Sequence, residues 1–473
     1  VVRRGGQESG AICVALGDLP AEAYVLSVRS DRIDLTGGSP AGVFYGFQTL
    51  RQMLPESALR GEKARAIDLP VVEIRDEPRI GYRALLLDVG RHFFGPEEVK
   101  SVIDLMAMHK LNRLQWHLTE DQGWRIEIRK YPELTRRGAW RDRSDLRPAE
   151  DGRPEKDPQP YGGYYTRQQV REIVRYAADR FIEIVPEIEM PGHAMAALAS
   201  YPWLGCLGEG YEVPSLWGVK EDVYCAGKDS TFVFLEDVLT EVTDLFPYGL
   251  VHIGGDECPK ARWKECPRCQ RRMRDEGLGS EEELQSYFVR RIERFLASRN
   301  RRMVGWDEIR QGGLSETAIV LSRKREQGLR SALENGNDVI MTPYLNCYFD
   351  YYQGSRETEP LAFGGFLPLR TAYDLDPFEG LNAEQSRRIL GVQCNLWTEF
   401  VATLDHAEYM LLPRLAAFAA AIITVRSVSF CCTKLPRSPC RRIMSFSRLY
   451  DAQGYEYRDF RPEADSLRAS LGS

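Results

Sequence analysis

The chain has 473 residues, a formal net charge of −6, and 43% hydrophobic and 28% charged side chains. That length exceeds one ordinary core of ~100–200 residues, and the composition excludes a disordered or fibrous chain. An acidic balance without a lysine-arginine run excludes a duplex nucleic-acid partner. A membrane span is not expected either: no stretch reaches ~18 consecutive apolar residues, and the longest late run, 415–425, is interrupted by Thr424.

The first residues, Val1-Val-Arg-Arg-Gly-Gly6, lack an initiator methionine and an apolar core, so they read as the interior of a longer, N-terminally truncated protein rather than as a secretion signal. The 11 cysteines are an odd number, which points away from a fully paired disulfide framework and toward a reducing, cytoplasmic compartment.

From Cys13 to about Pro78, β-like runs at 24–28 and 32–35 accompany a small-residue segment at 42–54 that reads as a helix. Residues 1–78 are therefore expected to form a small α+β domain. Beyond Asp76-Glu77-Pro78 the rhythm changes. Apolar strand candidates recur at 82–87, 113–118, 181–188, 250–254, 302–306, 318–321, 338–341 and 389–396, with helical patterns at 96–110, 167–180, 232–246, 281–298 and 406–420. Eight strands alternating with helices predict a (β/α)8 TIM barrel over 79–425, leaving 426–473 as a tail of atypical composition.

In such a barrel chemistry gathers just after each strand. Those positions hold Asp88 and Arg91, His117, Glu120 and Asp121, Glu187, Glu189 and His193, Asp256 and Glu257, Trp306 and Asp307, Tyr348 and Asp350, Trp397 and Glu399. Any one of these is more often scaffold than site. The set describes a sugar pocket, because a pyranose presents hydroxyls at its rim and C–H groups on its faces. Two glycosidase carboxylates must face each other ~5–9.5 Å apart, whereas Asp256 and Glu257 are neighbours whose side chains diverge, so one of them lacks the usual nucleophile role.

The run His252-Ile-Gly-Gly-Asp-Glu257 resembles the signature of the glycoside hydrolase family 20 β-N-acetylhexosaminidases. Leu86-Leu-Asp-Val-Gly-Arg-His-Phe93, Trp116-His-Leu-Thr-Glu-Asp-Gln-Gly-Trp-Arg125, Pro186-Glu-Ile-Glu-Met-Pro-Gly-His193, Gly305-Trp-Asp-Glu308 and Asn395-Leu-Trp-Thr-Glu399 resemble further motifs of that family, in its order, over about residues 18–420. The resemblance implies substrate-assisted retention, in which the sugar's own 2-acetamido oxygen attacks the anomeric carbon. It implies that Glu257 is the acid and later the base, that Asp256 holds the acetamido N–H, and that Tyr348 holds its oxygen. Arg91, Asp350 and Glu399 would bind sugar hydroxyls, Trp306 and Trp397 would enclose the acetamido group and sugar face, and His193 would support Glu257. Neither a metal nor a cofactor is implied. The alternatives are an amino-sugar-binding barrel without turnover and a disaccharide-releasing hexosaminidase.

Three departures from the family pattern stand out. Glu120-Asp121 occurs where two aspartates are usual, and the longer side chain is expected to shift His193. Arg323 follows Ser322 where a tryptophan normally walls the acetamido pocket, so that wall is expected to be open or charged, with Arg323 turned outward or paired with an acid. The window 420–442 carries cysteines and arginines in place of the family's closing helix sequence. Cys266-Pro-Arg-Cys269, near Cys258, has no histidine or second Cys-x-x-Cys at the usual spacing and so is not expected to bind zinc, while Cys206 and Cys225 could pair under oxidising conditions. The acidic run 281–283 reads as the first turn of a helix.

Overall fold

The computed structural model describes residues 10–63, 66–142, 160–324, 328–423 and 439–459. The chain opens with strands β1 (Ile12–Leu16), β2 (Tyr24–Val28) and β3 (Ile33–Gly37), helix α1 (Pro40–Met53) and strand β4 (Val72–Asp76). The strands form one sheet in the order β1-β3-β2-β4. Ser39 caps α1 by accepting the Ala41 N–H, and Pro40 begins the helix, where its missing donor costs nothing. The small residues of α1 set its distance from the sheet: a Cβ on Gly46 would lie 2.3 Å from Leu35 Cδ1. Tyr24, Leu26, Val28, Leu35, Tyr45, Leu50 and Val72 make this domain's own core.

The barrel strands are β5 (Tyr82–Asp88), β6 (Arg113–His117), β7 (Glu183–Glu187), β8 (Leu250–His252), β9 (Arg302–Trp306), β10 (Ile319–Ser322), β11 (Asp338–Met341) and β12 (Ile389–Leu396). All are parallel to their neighbours and follow chain order around a closed barrel, with β12 pairing β5 from Gly391↔Tyr82 to Leu396↔Leu87. Side chains alternate along each strand. On β5, Tyr82, Ala84 and Leu86 fill the barrel interior with Val304, Trp306, Ile319, Leu321 and Ile340, while Leu85 and Leu87 face the helical layer.

That layer includes α2 (Pro96–Met108), α3 (Arg167–Ala178), α4 (Asp229–Leu245), α5 (Pro267–Glu276) and α6 (Glu281–Ser298). Thr166 and Gln169 form a capping box at the start of α3, and Ser280 with Glu281, Glu282 and Glu283 opens α6. The single helix expected over 406–420 is instead two: α7 (Leu404–Leu411) and α8 (Arg414–Ile423), bent by 46°. Pro413 has no N–H to continue the ladder, so the first helix stops before it. Among the described residues no single helix is long and apolar enough to cross a membrane. A last helix, α9 (Pro439–Gln453), buries Leu449 and Tyr450, and the Tyr450 hydroxyl lies 2.9 Å from His109 Nε2. Of the atypical 420–442 window, residues 424–438 lie outside the described residues.

Buried charge joins the small domain to the barrel. Arg83, fully buried on β5, meets Glu22 at 2.8 Å. Lys110, at the end of α2, donates to Asp76, Tyr24 and Thr49, each at 2.8 Å.

Candidate active site

The C-terminal ends of the strands converge on one buried polar network. Its centre is the Glu187 carboxylate at the end of β7, which accepts from Gln115 Nε2 at 2.7 Å and Trp306 Nε1 at 3.0 Å. His117 Nδ1 at 2.7 Å and His252 Nδ1 at 2.8 Å complete its surroundings. Burial alone would raise this carboxyl, but the two histidines hold it well below the ordinary range. Four groups on one carboxylate fix the ends of β6, β7, β8 and β9 and orient the Trp306 indole.

Just past strand β8 come Gly254 and Gly255, at φ of +66° and +90°. A Cβ on Gly254 would lie 1.7 Å from the Glu189 carboxylate, and one on Gly255 would lie 2.3 Å from Ile309 Cγ2. Only glycine fits both the conformation and the space. The turn delivers Asp256 inward, 6% exposed, and Glu257 outward, with its side chain 44% exposed and its own φ at +45°. Adjacent residues thus diverge, through a turn past the strand rather than through strand alternation. The Glu257 N–H donates to Glu308 Oε2 at 2.6 Å, which pins the turn to the segment after β9.

His193 stands behind Glu257. Its Nε2 is 3.5 Å from Glu257 Oε2, while Nδ1 faces Glu120 Oε1 at 2.7 Å and Asp121 Oδ2 at 3.2 Å. Burial opposes a charge on His193, but Glu120, Asp121 and Glu257 outweigh it and raise the imidazole well above its ordinary value. The His193 contact in turn holds Glu257 below the ordinary carboxyl range. The longer Glu120 does not leave His193 without a partner: it spans His193 with one oxygen and His117 and Arg91 with the other, and Asp121 supplies a second acceptor.

Arg91 bridges the barrel's first and last strands, 3.2 Å from Asp88, 3.3 Å from Glu120 and 3.8 Å from Glu399. Its guanidinium carbon lies 5.2 Å from the centroid of Trp397. Trp397 also contacts Trp306 (centroids 5.6 Å apart) and Tyr348 (6.4 Å). Asp350 is buried with Glu399 beside it, and burial together with that like charge pushes its carboxyl well above the ordinary range. Glu399 is itself raised by burial, against the pull of Arg91. Burial raises the Tyr348 phenol, leaving it a proton donor.

Arg323 fills the wall where a tryptophan was the pattern. It is paired rather than turned out: NH1 is 3.2 Å from Asp256 Oδ2, Nε is 3.6 Å from Asp307 Oδ1, and NH2 meets Glu308. Its guanidinium carbon lies 5.4 Å from the Trp306 centroid. The wall is charged, not open. Burial raises the Asp256 carboxyl, and Arg323 is the largest influence pulling it back.

Sequence reasoning passed over Glu308, which ties Arg323 to the Glu257 backbone, although its motif was in view. The four cysteines that the sequence presents as two separate pairs form one cluster. Cys266 and Cys269 do gain partners: Cys206 and Cys225 approach them, all four sulfurs lying within 4.8 Å of one another. The contacting pairs are 41 to 63 residues apart and join the loop after β7 to the start of α5, so no local spacing reveals the cluster. Cys206 and Cys225 do not pair with each other as a disulfide; all four are free thiols.

The profile described as glycosyl hydrolase family 20, catalytic domain, matches residues 81–423, and that of the family's domain 2 matches residues 3–77. The chain belongs to glycosyl hydrolase family 20. A β-hexosaminidase of Porphyromonas gingivalis is 49% identical over 424 residues, covering 88% of this chain and 53% of the relative. One from Vibrio furnissii is 38% identical over 84% of this chain and 64% of its own length. The chain thus spans about half to two thirds of these family 20 relatives. Among solved structures, the family 20 exo β-N-acetylglucosaminidase of Vibrio harveyi in complex with N-acetylglucosamine superposes with a TM-score of 0.83 at 33% identity, over 95% of this chain and 69% of that one. A mutant Streptomyces plicatus β-hexosaminidase in complex with its product GlcNAc gives 0.79 at 31% identity, over 94% and 84%.

Proposed function

We propose that this chain is an exo-acting β-N-acetylhexosaminidase. It removes terminal, non-reducing β-linked N-acetylglucosamine or N-acetylgalactosamine from oligosaccharides or glycoconjugates, with retention. The observation that carries the reading is a set of buried polar atoms with no hydrogen-bond partner: Asp256 Oδ1, Tyr348 OH, Asp350 Oδ1 and Glu399 Oε2. Tyr348 contacts Trp397, Arg323 links Asp256 to the face of Trp306, and Arg91 links Glu399 to Trp397. Orphaned buried polar atoms are costly and are expected where a ligand supplies the missing bonds.

In this reading Asp256 Oδ1 accepts the acetamido N–H while Arg323 occupies Oδ2, and the Tyr348 hydroxyl donates to the acetamido oxygen. That oxygen attacks C1 as the C1–O bond to the leaving sugar breaks, and Glu257 gives its proton to the departing oxygen. The resulting oxazolinium is opened by water at C1, whose proton returns to Glu257. Asp350, Glu399 and Arg91 hold ring hydroxyls at the closed end. The catalytic unit is 79–425, with 1–78 a supporting domain and 426–473 a tail. Similarity to the named β-hexosaminidases and to the GlcNAc-bound neighbours supports this reading.

The test is a comparison of a chromogenic N-acetylglucosaminide with the corresponding plain glucoside. Cleavage of the first alone, releasing the monosaccharide, is expected. Comparable cleavage of the glucoside would remove substrate assistance, binding without turnover would make the chain a lectin-like barrel, and release of disaccharides would contradict the exo-acting single-sugar pocket.

A further inference from the structure

We propose that Cys206, Cys225, Cys266 and Cys269 are the four ligands of a structural zinc ion that ties the loop after β7 to the segment after β8. The sulfur separations carry the case. Cys225–Cys269 is 3.6 Å, and Cys206–Cys269 and Cys225–Cys266 are each 3.8 Å. A tetrahedron of Zn–S bonds of ~2.3 Å has edges of about 3.8 Å, whereas a disulfide brings two sulfurs to about 2.05 Å. Four cysteines at tetrahedral-edge spacing in a part-buried site select zinc, or iron as the rival metal.

The backbone arranges the four independently of any metal. The bridge Gly205↔Tyr224 and the Cys225 N–H to Leu204 carbonyl bond at 2.9 Å place Cys206 and Cys225 side by side. Cys266 is the N-cap of α5 and Cys269 lies in its first turn, where exposed N–H groups and the positive helix end favour thiolates. Gly227 presses against that turn: a Cβ there would lie 2.2 Å from the Arg268 carbonyl carbon and 2.4 Å from Cys269 N. Cys225, Cys266 and Cys269 are buried and Cys206 is partly exposed, which leaves the ion a way in. Binding replaces the four thiol protons with one Zn²⁺, so it releases protons and strengthens as pH rises.

The staple closes a loop whose tip reaches the pocket. Trp217 packs on Phe363 (centroids 5.2 Å apart) and Phe400 (6.0 Å), next to Asp350 and Glu399 in the chain and the fold. The Leu216 carbonyl accepts from Gln122 Nε2 at 3.1 Å. On the other side, seven residues separate Cys258, the neighbour of Glu257, from Cys266.

The test is elemental analysis of the full chain purified without added metal or chelator. About one zinc per chain is expected, released in step with mercurial titration of the thiols and seen with a colorimetric zinc indicator. Cobalt replacing zinc should give the visible bands of a tetrahedral tetrathiolate. Cys225→Ser/Cys269→Ser should lose the metal and melt at lower temperature, while Cys13→Ser, on β1, keeps it. If the double variant fails to fold, the mercurial release on wild-type protein decides alone. Stoichiometric iron in place of zinc, absence of metal, or a non-reduced, denatured thiol count four short of 11 would each overturn the assignment.

Discussion

At the residue scale the acid and its histidine act as one titrating unit. Their contact raises His193 and lowers Glu257, which favours the proton on the imidazole. In the proposed reaction a sugar that strips water from Glu257 would draw that proton across the 3.5 Å from His193. His193→Asn removes that store and leaves Glu257 to hold its own proton. The alkaline limb of kcat/KM should then fall toward the ordinary carboxyl range; a limb that stays put or rises would show that Glu257 titrates alone. Glu257→Gln should cost ~10²–10⁴ on natural, poor leaving groups and far less on nitrophenyl sugars, and an equal loss on both would contradict its role as proton donor. Arg323 invites a third measurement. Replacing it with tryptophan removes the largest influence lowering Asp256, so Asp256 should protonate at higher pH and the acid limb should move up. Above that limb kcat/KM should rise, since an indole packs the acetamido methyl and excludes water. An unmoved acid limb in a folded variant would separate Arg323 from the ionisation of Asp256.

At the element scale the barrel strands were the most legible feature, because aliphatic runs ending in charged or aromatic residues are what a closed parallel sheet requires. Strands 302–306, 338–341 and 389–396 were read to the residue. Strand 250–254 was read two residues too long, since Gly254 satisfies an apolar pattern yet takes a positive φ that ends pairing. The span 406–420 reads as one helix and is two, because apolar periodicity runs straight through Pro413 and only the missing N–H breaks it. Asp88, His117, Glu187 and Trp306 stand at strand ends, where the barrel pattern directs attention, whereas Glu308, two residues past Trp306, makes a bond to a backbone N–H that no pattern encodes. Gly254→Ala tests the β8 turn. Placing a methyl into the Glu189 carboxylate at positive φ should cost ~2–5 kcal/mol from strain and overpacking together, read by urea unfolding. A variant of unchanged stability would mean that the turn is free to relax.

At the scale of the whole molecule, the small domain is held by charge as well as by apolar contact. Burial alone would raise Glu22, but Arg83 outweighs it and holds the carboxyl low. A lowered carboxyl stabilises the fold above its unfolded-state pKa, and that stabilisation is lost as pH falls through the lowered value. Glu22→Gln leaves Arg83 buried without its counter-charge and should cost up to about 3 kcal/mol, the partial exposure of Glu22 limiting the loss. Wild type and variant should converge in stability in acid; a constant gap at every pH would assign the loss to packing instead. The barrel's seam carries a different consequence. Asp88 Oδ2, at the end of the first strand, accepts the Thr398 N–H at 3.1 Å just past the last, and Arg91 faces Glu399 across the same line. The proposed sugar clamp is therefore written in two pieces at opposite ends of the barrel's chain. Strand β5 has no neighbour on one side until β12 is present, so, if the proposed hydrolysis holds, two fragments split before Ile389 should show it only when mixed.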